Sequence, residues 1–312
     1  MSGPSIVTEQ LASSRAQAGC FWGSTLSDYW ALTKPEVNFL ILITTAVGFY
    51  LGCGNEARPL SVISLFNTLL GTLLVASGTG TLNQYIERGF DAQMRRTARR
   101  PAASGRLKPA AVLAFGIALA AAGTVYLAAV VNLLASVLAA LTLLTYLFLY
   151  TPLKRKTPLC VLVGAFPGAV PPLIGWAAAS GRLNSEAWIL YAIVFLWQFP
   201  HFMAIAWLYR EDYDRAGYLV LPKGNARIPF VTLETLLPLL ALIAISIVQF
   251  PTRHAGLFYC AGALLSVEFL YFGLEFVLQR SRAAARRLLA ASIVYLPLLF
   301  VLSATLWNRG RS

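Results

Sequence analysis

Nine apolar segments of roughly membrane-spanning length run almost back to back along this chain. They are Val37–Cys53, Ser61–Leu82, Ala110–Val131, Leu133–Tyr150, Leu159–Ala179, Ala187–Tyr209, Ile228–Val248, Gly256–Val277 and Leu288–Trp307. Most hold about 20 residues, which at 1.5 Å per residue crosses the ~30 Å hydrocarbon layer of a bilayer. Only 12% of the residues are charged, about half the share of a soluble domain. The expected fold is therefore an all-α polytopic membrane protein, nine transmembrane helices around a central cavity. The boundary between the third and fourth helices is the least marked, because the apolar run barely pauses at Asn132. No soluble domain or low-complexity linker interrupts the series, so the expected organisation is a flexible cytoplasmic tail over 1–34 and one membrane domain over 35–312.

The charge pattern orients the chain. With nine spans and an inner N-terminus, the outer segments keep only Arg58, Arg182, Arg253, Arg309 and Arg311, and the other 20 of the 25 basic residues fall inside. That asymmetry puts the N-terminus in the cytoplasm or its organellar equivalent. The net charge of +12 is thus a matter of topology, and no nucleic-acid partner is expected. The first thirty residues lack an apolar core for a cleaved signal. They carry only Arg15 among basic residues, with Glu9 and Asp28 intruding, which speaks against a mitochondrial presequence. A bacterial inner membrane is the expected location, ahead of the mitochondrial inner membrane. Cys20, Cys53, Cys160 and Cys260 are scattered with no CxxC pair, so neither a zinc site nor a disulfide framework is supported.

Against this background the run Asn83-Gln84-Tyr85-Ile86-Glu87-Arg88-Gly89-Phe90-Asp91 stands out. Asn83, Glu87 and Asp91 are spaced i, i+4, i+8, so on a helix they drift only about 80° and share one face. A carboxamide and two carboxylates at a membrane boundary need a cation. Mg²⁺ suits them, because it takes hard oxygen ligands from one or two carboxylates and completes its shell with phosphate and water. Arg88, Arg95, Arg96, Arg99 and Arg100 follow at once and could receive a phosphate's remaining charge. The plain alternative is a helix-end cluster of snorkelling and capping residues.

A second constellation lies in the sixth segment, where Gln198-Phe199-Pro200-His201 sits within the membrane and Arg210-Glu211-Asp212-Tyr213-Asp214 follows at its inner end. An intramembrane His is a functional hypothesis, set against an interhelical hydrogen bond. Asp212 lies eleven residues beyond His201, roughly 16 Å along a helix axis, so one bulky ligand could touch both. The fifth segment, with Pro167, Pro171, Pro172, Gly164, Gly168 and Gly175, must bend and suits either a cavity wall or kinked packing. Glu268, close to mid-span, must be paired, protonated or cavity-facing. Glu234 and Glu275 are near inner ends, and His254 is given no role.

Two acidic clusters, one basic loop and a greasy interior suit a substrate with an anionic head and a long apolar tail, such as an isoprenoid diphosphate. Ionising its allylic C–O bond calls for neutralising the leaving diphosphate and keeping the carbocation from water. Here the residues carry a resemblance. Asn83-xxx-Glu87-xxx-Asp91 resembles the first acidic motif of the UbiA-type intramembrane prenyltransferases. The longer run Asp91-Ala92-Gln93-Met94-Arg95-Arg96-Thr97-Ala98-Arg99-Arg100-Pro101 narrows this to the protohaem IX farnesyltransferase (haem O synthase) branch. Tyr150-Thr151-Pro152-Leu153-Lys154-Arg155, Trp197-Gln198-Phe199-Pro200-His201-Phe202 and Arg210-Glu211-Asp212-Tyr213 agree, and the match covers about residues 30 to 306.

The resemblance implies a prenyltransferase that moves farnesyl from farnesyl diphosphate to the 2-vinyl group of haem B, giving haem O. It implies Mg²⁺ as cofactor, held by Asn83, Glu87, Asp91 and Asp212, with Asn83, Asp91 and Asp212 catalytic. Arg96, Arg100, Lys154 and Arg155 would clamp the diphosphate, and His201 would face the haem. Membrane lipid and a downstream haem-modifying enzyme are the other implied partners. The second motif here reads Asp212-Tyr213-Asp214 where the wider family has DxxxD, which leaves open whether Asp214 or Glu211 touches a second ion. Two alternatives stand beside this reading. One is a UbiA-type enzyme acting on a quinone precursor or other aromatic acceptor; the other, of a different class, is a transporter.

Overall fold

The computed structural model describes residues 25–55, 60–247 and 255–307, all helix, turn or connecting loop with no strand among them. Arg15, Cys20, Arg58, Arg253, His254, Arg309 and Arg311 lie outside these, and so do the readings placed on them. We number the helices α1 (Pro35–Asn55), α2 (Val62–Asp91), α3 (Pro109–Tyr126), α4 (Leu133–Leu144), α5 (Cys160–Gly168) and α6 (Pro171–Ser180). There follow α7 (Ser185–Leu208), the short α8 (Arg210–Arg215), α9 (Arg227–Ile247), α10 (Ala255–Gln279) and α11 (Arg282–Trp307). A π-helical turn, Leu127–Val131, prolongs α3, and another, Thr145–Tyr150, prolongs α4 into Thr151–Leu153.

Among the described residues nine helical spans are long and apolar enough to cross a membrane, and they follow the nine apolar segments closely. The protein is a multi-pass membrane protein. The largest shift falls at α2, which continues past Leu82 to Asp91. The polar run therefore rides on the same rigid helix as the apolar one. At Asn132 the break is sharp and its cause is local. The residue is extended (φ −166°, ψ 162°), its Oδ1 accepts from the Ala135 amide at 2.8 Å, and its Nδ2 donates to the Ala177 carbonyl at 2.8 Å. One side chain caps α4 and ties it to α6.

The fifth segment does bend, and it separates into α5 and α6 at 169–170, beside Pro171 and Pro172, whose nitrogens carry no donor. It is also the most buried of the nine spans. Helix α6 packs closely on α1, and Gly175 makes that possible: a Cβ there would run into the Thr45 carbonyl. Helices α7, α9, α10 and α11 pack pairwise into a second group, around Phe269, Phe276, Leu239, Leu242 and Leu288.

Within the expected tail over 1–34, residues 25–32 are helical, and Asp28 forms a two-oxygen ion pair with Arg106 at 2.9–3.0 Å. Glu275 pairs with Arg287 at 2.6 Å. Glu268 is neither paired among the described residues nor turned inward; it is exposed on α10, along the strip that carries Leu264, Val267 and Tyr271. Cys53 and Cys160 are buried and Cys260 is exposed.

Candidate active site

Asn83, Glu87 and Asp91 form a ladder on α2, each rung one turn above the last, and they are 2%, 5% and 1% exposed. Burying such groups is costly unless each finds a partner. Every rung has one, and each partner comes from a different part of the chain. Lys34 Nζ donates to Asn83 Oδ1 at 2.9 Å, Lys154 Nζ to Glu87 Oε1 at 2.9 Å, and Arg100 to Asp91 Oδ2 at 2.8 Å.

Local sequence explains how each cation arrives. Lys34 precedes Pro35, which disfavours the helical conformation at that residue. Lys34 adopts a left-handed one instead (φ 54°), and the chain turns as it enters α1. On the α4 side, the π-helical turn inserts one extra residue into the winding. Thr151 then bonds back to the Tyr146 carbonyl at 2.9 Å, and its hydroxyl accepts from Asn83 Nδ2 at 3.3 Å. Lys154 follows three residues on, its ammonium also 4.5 Å from the Tyr150 ring. Arg100 sits in the tight loop after α2, where Thr97 caps the Asp91 carbonyl at 2.9 Å.

The field around the two lysines differs. Lys34 is lowered to about 7, first by burial of its ammonium and then by repulsion from Arg100; Glu87 and Asp91 pull the other way without restoring it. For Lys154 burial also acts against the charge, but Tyr150 and Glu87 outweigh it, and the group is held well above the ordinary lysine range.

The loop after α8 closes over this end of the molecule. The Leu219 amide donates to the Lys154 carbonyl at 2.7 Å, and Met94, Ala216 and Tyr218 are buried together with Phe90 and Tyr213 against them. The Tyr218 hydroxyl is buried close to the Glu87 carboxylate, but among the described residues it completes no well-formed hydrogen bond. Arg155 lies over the Phe90 ring at 4.3 Å and Arg96 over Tyr209 at 5.0 Å. Asp212 is at the same end but is bonded to Arg215 at 3.1 Å. Among the described residues no three His, Cys, Asp or Glu side chains form one compact group. Asn83, Glu87, Asp91, Arg100 and Lys154 are thus brought together, while Arg96, Arg155 and Asp212 flank them.

Lys34 and Tyr218 were not singled out from the sequence. The Lys34-Pro35 step was the available signal for the first. His201 stands elsewhere, part-buried on α7, with Nδ1 2.8 Å from Ser292 Oγ. The interhelical hydrogen bond considered for it from sequence is therefore present.

A helical membrane bundle with a buried oxygen-donor ladder ringed by lysine and arginine at one end has the layout of an intramembrane transferase. The comparison with known families agrees. The model of the UbiA prenyltransferase family matches residues 41–303, and the chain belongs to that family. It is 46% identical over 282 residues to the protohaem IX farnesyltransferase of Solibacter usitatus, covering 88% of this chain and 97% of that one. With the protohaem IX farnesyltransferase of Koribacter versatilis it shares 40% over 304 residues, 95% and 97% of the two chains. Among solved structures, a digeranylgeranylglyceryl phosphate synthase superposes with TM-score 0.72 at 16% identity, over 91% of this chain and 99% of its own. A UbiA homologue from Archaeoglobus fulgidus bound to GPP and Mg²⁺ gives 0.62 at 14% identity, over 88% and 99%. At those identities the likeness is one of fold.

Proposed function

We propose that this enzyme transfers the farnesyl group of farnesyl diphosphate to the 2-vinyl group of haem B, releasing diphosphate and giving haem O once water quenches the porphyrin-side cation. The observation that carries the reading is the buried Asn83–Glu87–Asp91 ladder with its own cations, in a chain so similar to protohaem IX farnesyltransferases along its length. The donor set is chemically right for a hard divalent ion: a carboxamide oxygen and two carboxylates, buried and on one helix face. Asn83, Glu87 and Asp91 would hold Mg²⁺, with Asp212 reaching in from the second motif. The ion, when bound, supplies positive charge where the leaving diphosphate gathers negative charge.

The rest is done by this chain's own groups. Lys34, Lys154 and Arg100 already crowd the ladder, and Arg96 and Arg155 flank it, so an incoming diphosphate meets fixed N–H donors without waiting for them to assemble. The buried Tyr218 hydroxyl adds one neutral donor. The apolar interior receives the farnesyl chain and keeps water from the allylic cation. His201, on α7 ahead of Asp212 on α8, faces the porphyrin. We place the basic end on the cytoplasmic side of a bacterial inner membrane, residues 35–312 with Lys34 as the catalytic unit, and a haem-modifying enzyme as the consumer of the product. Purified full-length protein given haem B, farnesyl diphosphate and Mg²⁺ should form a farnesylated haem detectable by mass. Prenylation of a phenolic quinone precursor with haem B left unmodified would overturn the assignment.

A further inference from the structure

His201 does not stand alone in its apolar span. Helix α7 carries Trp197 one turn before it, and α11 presents Ser292 across the interface. The ring of Trp197 lies on the imidazole with centroids 4.7 Å apart and planes 25° apart. Its indole N–H donates to the Ser292 carbonyl at 2.8 Å. The Ser292 hydroxyl donates to the Leu289 carbonyl at 2.6 Å, and it lies 2.8 Å from His201 Nδ1.

A serine hydroxyl has one proton. We assign that proton to the Leu289 carbonyl, because this is the shorter of the hydroxyl's two contacts, 2.6 Å against 2.8 Å, and the local back-bond common for helical serine. Toward His201 the oxygen then has only lone pairs to offer, so Nδ1 must be the donor. A neutral imidazole that keeps its proton on Nδ1 has its free lone pair on Nε2. Among the described residues Nε2 has no hydrogen-bond partner, and the ring is only part-buried. A His serving merely as an interhelical tie would be satisfied by this one bond in either tautomer. This geometry selects one tautomer and leaves the ligating nitrogen open.

We propose that Ser292 and Trp197 are positioning residues that preset His201 as an Nε2 ligand for the iron of the porphyrin substrate. The inference rests on the haem reading given above. It follows the pattern of metal-binding histidines, whose second nitrogen is tied to an oxygen that fixes ring tautomer and orientation. Iron would accept the Nε2 lone pair with no proton leaving the ring, so the bond forms without a base. The Trp197 face blocks rotation, and the indole bond to the Ser292 carbonyl holds the two helices at the spacing the pair needs.

The test has two arms on full-length protein in detergent. In the first, ¹⁵N-histidine spectra are recorded without haem, with His254→Gln removing the other of the two histidines. The expected signal is Nδ1 protonated and Nε2 bare. Ser292→Ala should lose that preference, and Ser292→Thr, which keeps the hydroxyl, should restore it. Should Ser292→Ala fail to insert, Ser292→Cys takes its place, with a thiol that is a poor acceptor. Nε2 protonated in the parent protein, or Nδ1 protonation untouched by loss of the hydroxyl, overturns the inference whatever haem does. In the second arm haem B is titrated in. Ser292→Ala should shift the Soret band and weaken binding about tenfold, and it should add nothing in a His201→Ala background. Haem binding that depends on His201 but not on Ser292 overturns the positioning role and leaves the acceptor reading standing. Haem binding indifferent to His201 overturns the ligand role itself, even with the tautomer as expected.

Discussion

Lys154, on the turn that follows α4, donates to Glu87 of α2 at 2.9 Å, and the two side chains are only 14% and 6% exposed. The middle rung of the acid ladder is thus neutralised from a helix two spans further along the chain. Removing one partner of a buried pair leaves an uncompensated charge and costs about 3 kcal/mol or more, whereas removing both can be nearly neutral. Lys154→Met should therefore lower the thermal midpoint clearly, and Lys154→Met with Glu87→Leu should recover most of it. Haem O formation should be lost in both. A double variant as unstable as the single one would mean that the pair is not the source of the effect.

The ends of the ladder test the diphosphate assignment. Arg100 bonds to Asp91, which is 1% exposed, whereas Arg282 pairs with Glu211 at 3.0 Å out in solvent. Loss of a preorganised donor at a developing charge typically costs about 100-fold in rate. An exposed pair is worth at most about 1 kcal/mol. Arg100→Ala should lose at least that hundredfold, and Arg282→Ala should stay within about threefold. Asp91→Ala should be inactive yet inserted, and chelation should silence the parent enzyme until Mg²⁺ is returned. Near-normal turnover in inserted Asp91→Ala would remove the ladder from the chemistry.

Tyr218 offers a gentler probe. Its hydroxyl is buried beside Glu87 with no well-formed hydrogen bond among the described residues, an arrangement usually avoided unless a ligand completes it. Tyr218→Phe should stay within about 1 kcal/mol of the parent in stability, since no well-formed hydrogen bond is lost. Its affinity for farnesyl diphosphate should fall about five- to tenfold if the hydroxyl meets that ligand, which calorimetry would show. Unchanged affinity together with unchanged turnover would leave the tyrosine as packing only.

Much of this was legible in the sequence, for physical reasons. Hydrocarbon demands long apolar helices, so the spans could be counted, and period-four spacing put Asn83, Glu87 and Asp91 on one face before any coordinates. What stayed hidden depends on contacts between distant elements. Lys34 reads as one more inner-side cation, because the Lys34-Pro35 step announces a turn but nothing local says that the side chain crosses to Asn83. Tyr218 lies in a loop whose fold over Lys154 is set by one backbone bond, Leu219 to Lys154. Glu268 is expected paired, protonated or cavity-facing, and only the packing of α10 shows it turned outward, with no partner among the described residues. The split of α5 from α6 was foreseen as a bend, since prolines announce a break but not how it is resolved.

Lys34 carries the last prediction, and its sign can be worked out. In the folded protein its proton leaves near pH 7, against 10.5 for an ordinary lysine. Below about 7 folded and unfolded chains both hold the proton, and the group gives no pH slope. Between about 7 and 10.5 the unfolded chain binds more protons, so its contribution to stability rises with pH. Without added substrate, the thermal midpoint of the parent relative to Lys34→Met should climb between about pH 6 and pH 9. Farnesyl diphosphate should act in the opposite sense, because its negative head favours the ammonium. Binding at about pH 8 should take up protons, seen as a calorimetric heat that depends on the buffer, and Lys34→Met should abolish much of that dependence. If the two proteins show parallel midpoints across the range and equal proton uptake, Lys34 is an ordinary surface cation and its bond to Asn83 has no part in holding the diphosphate.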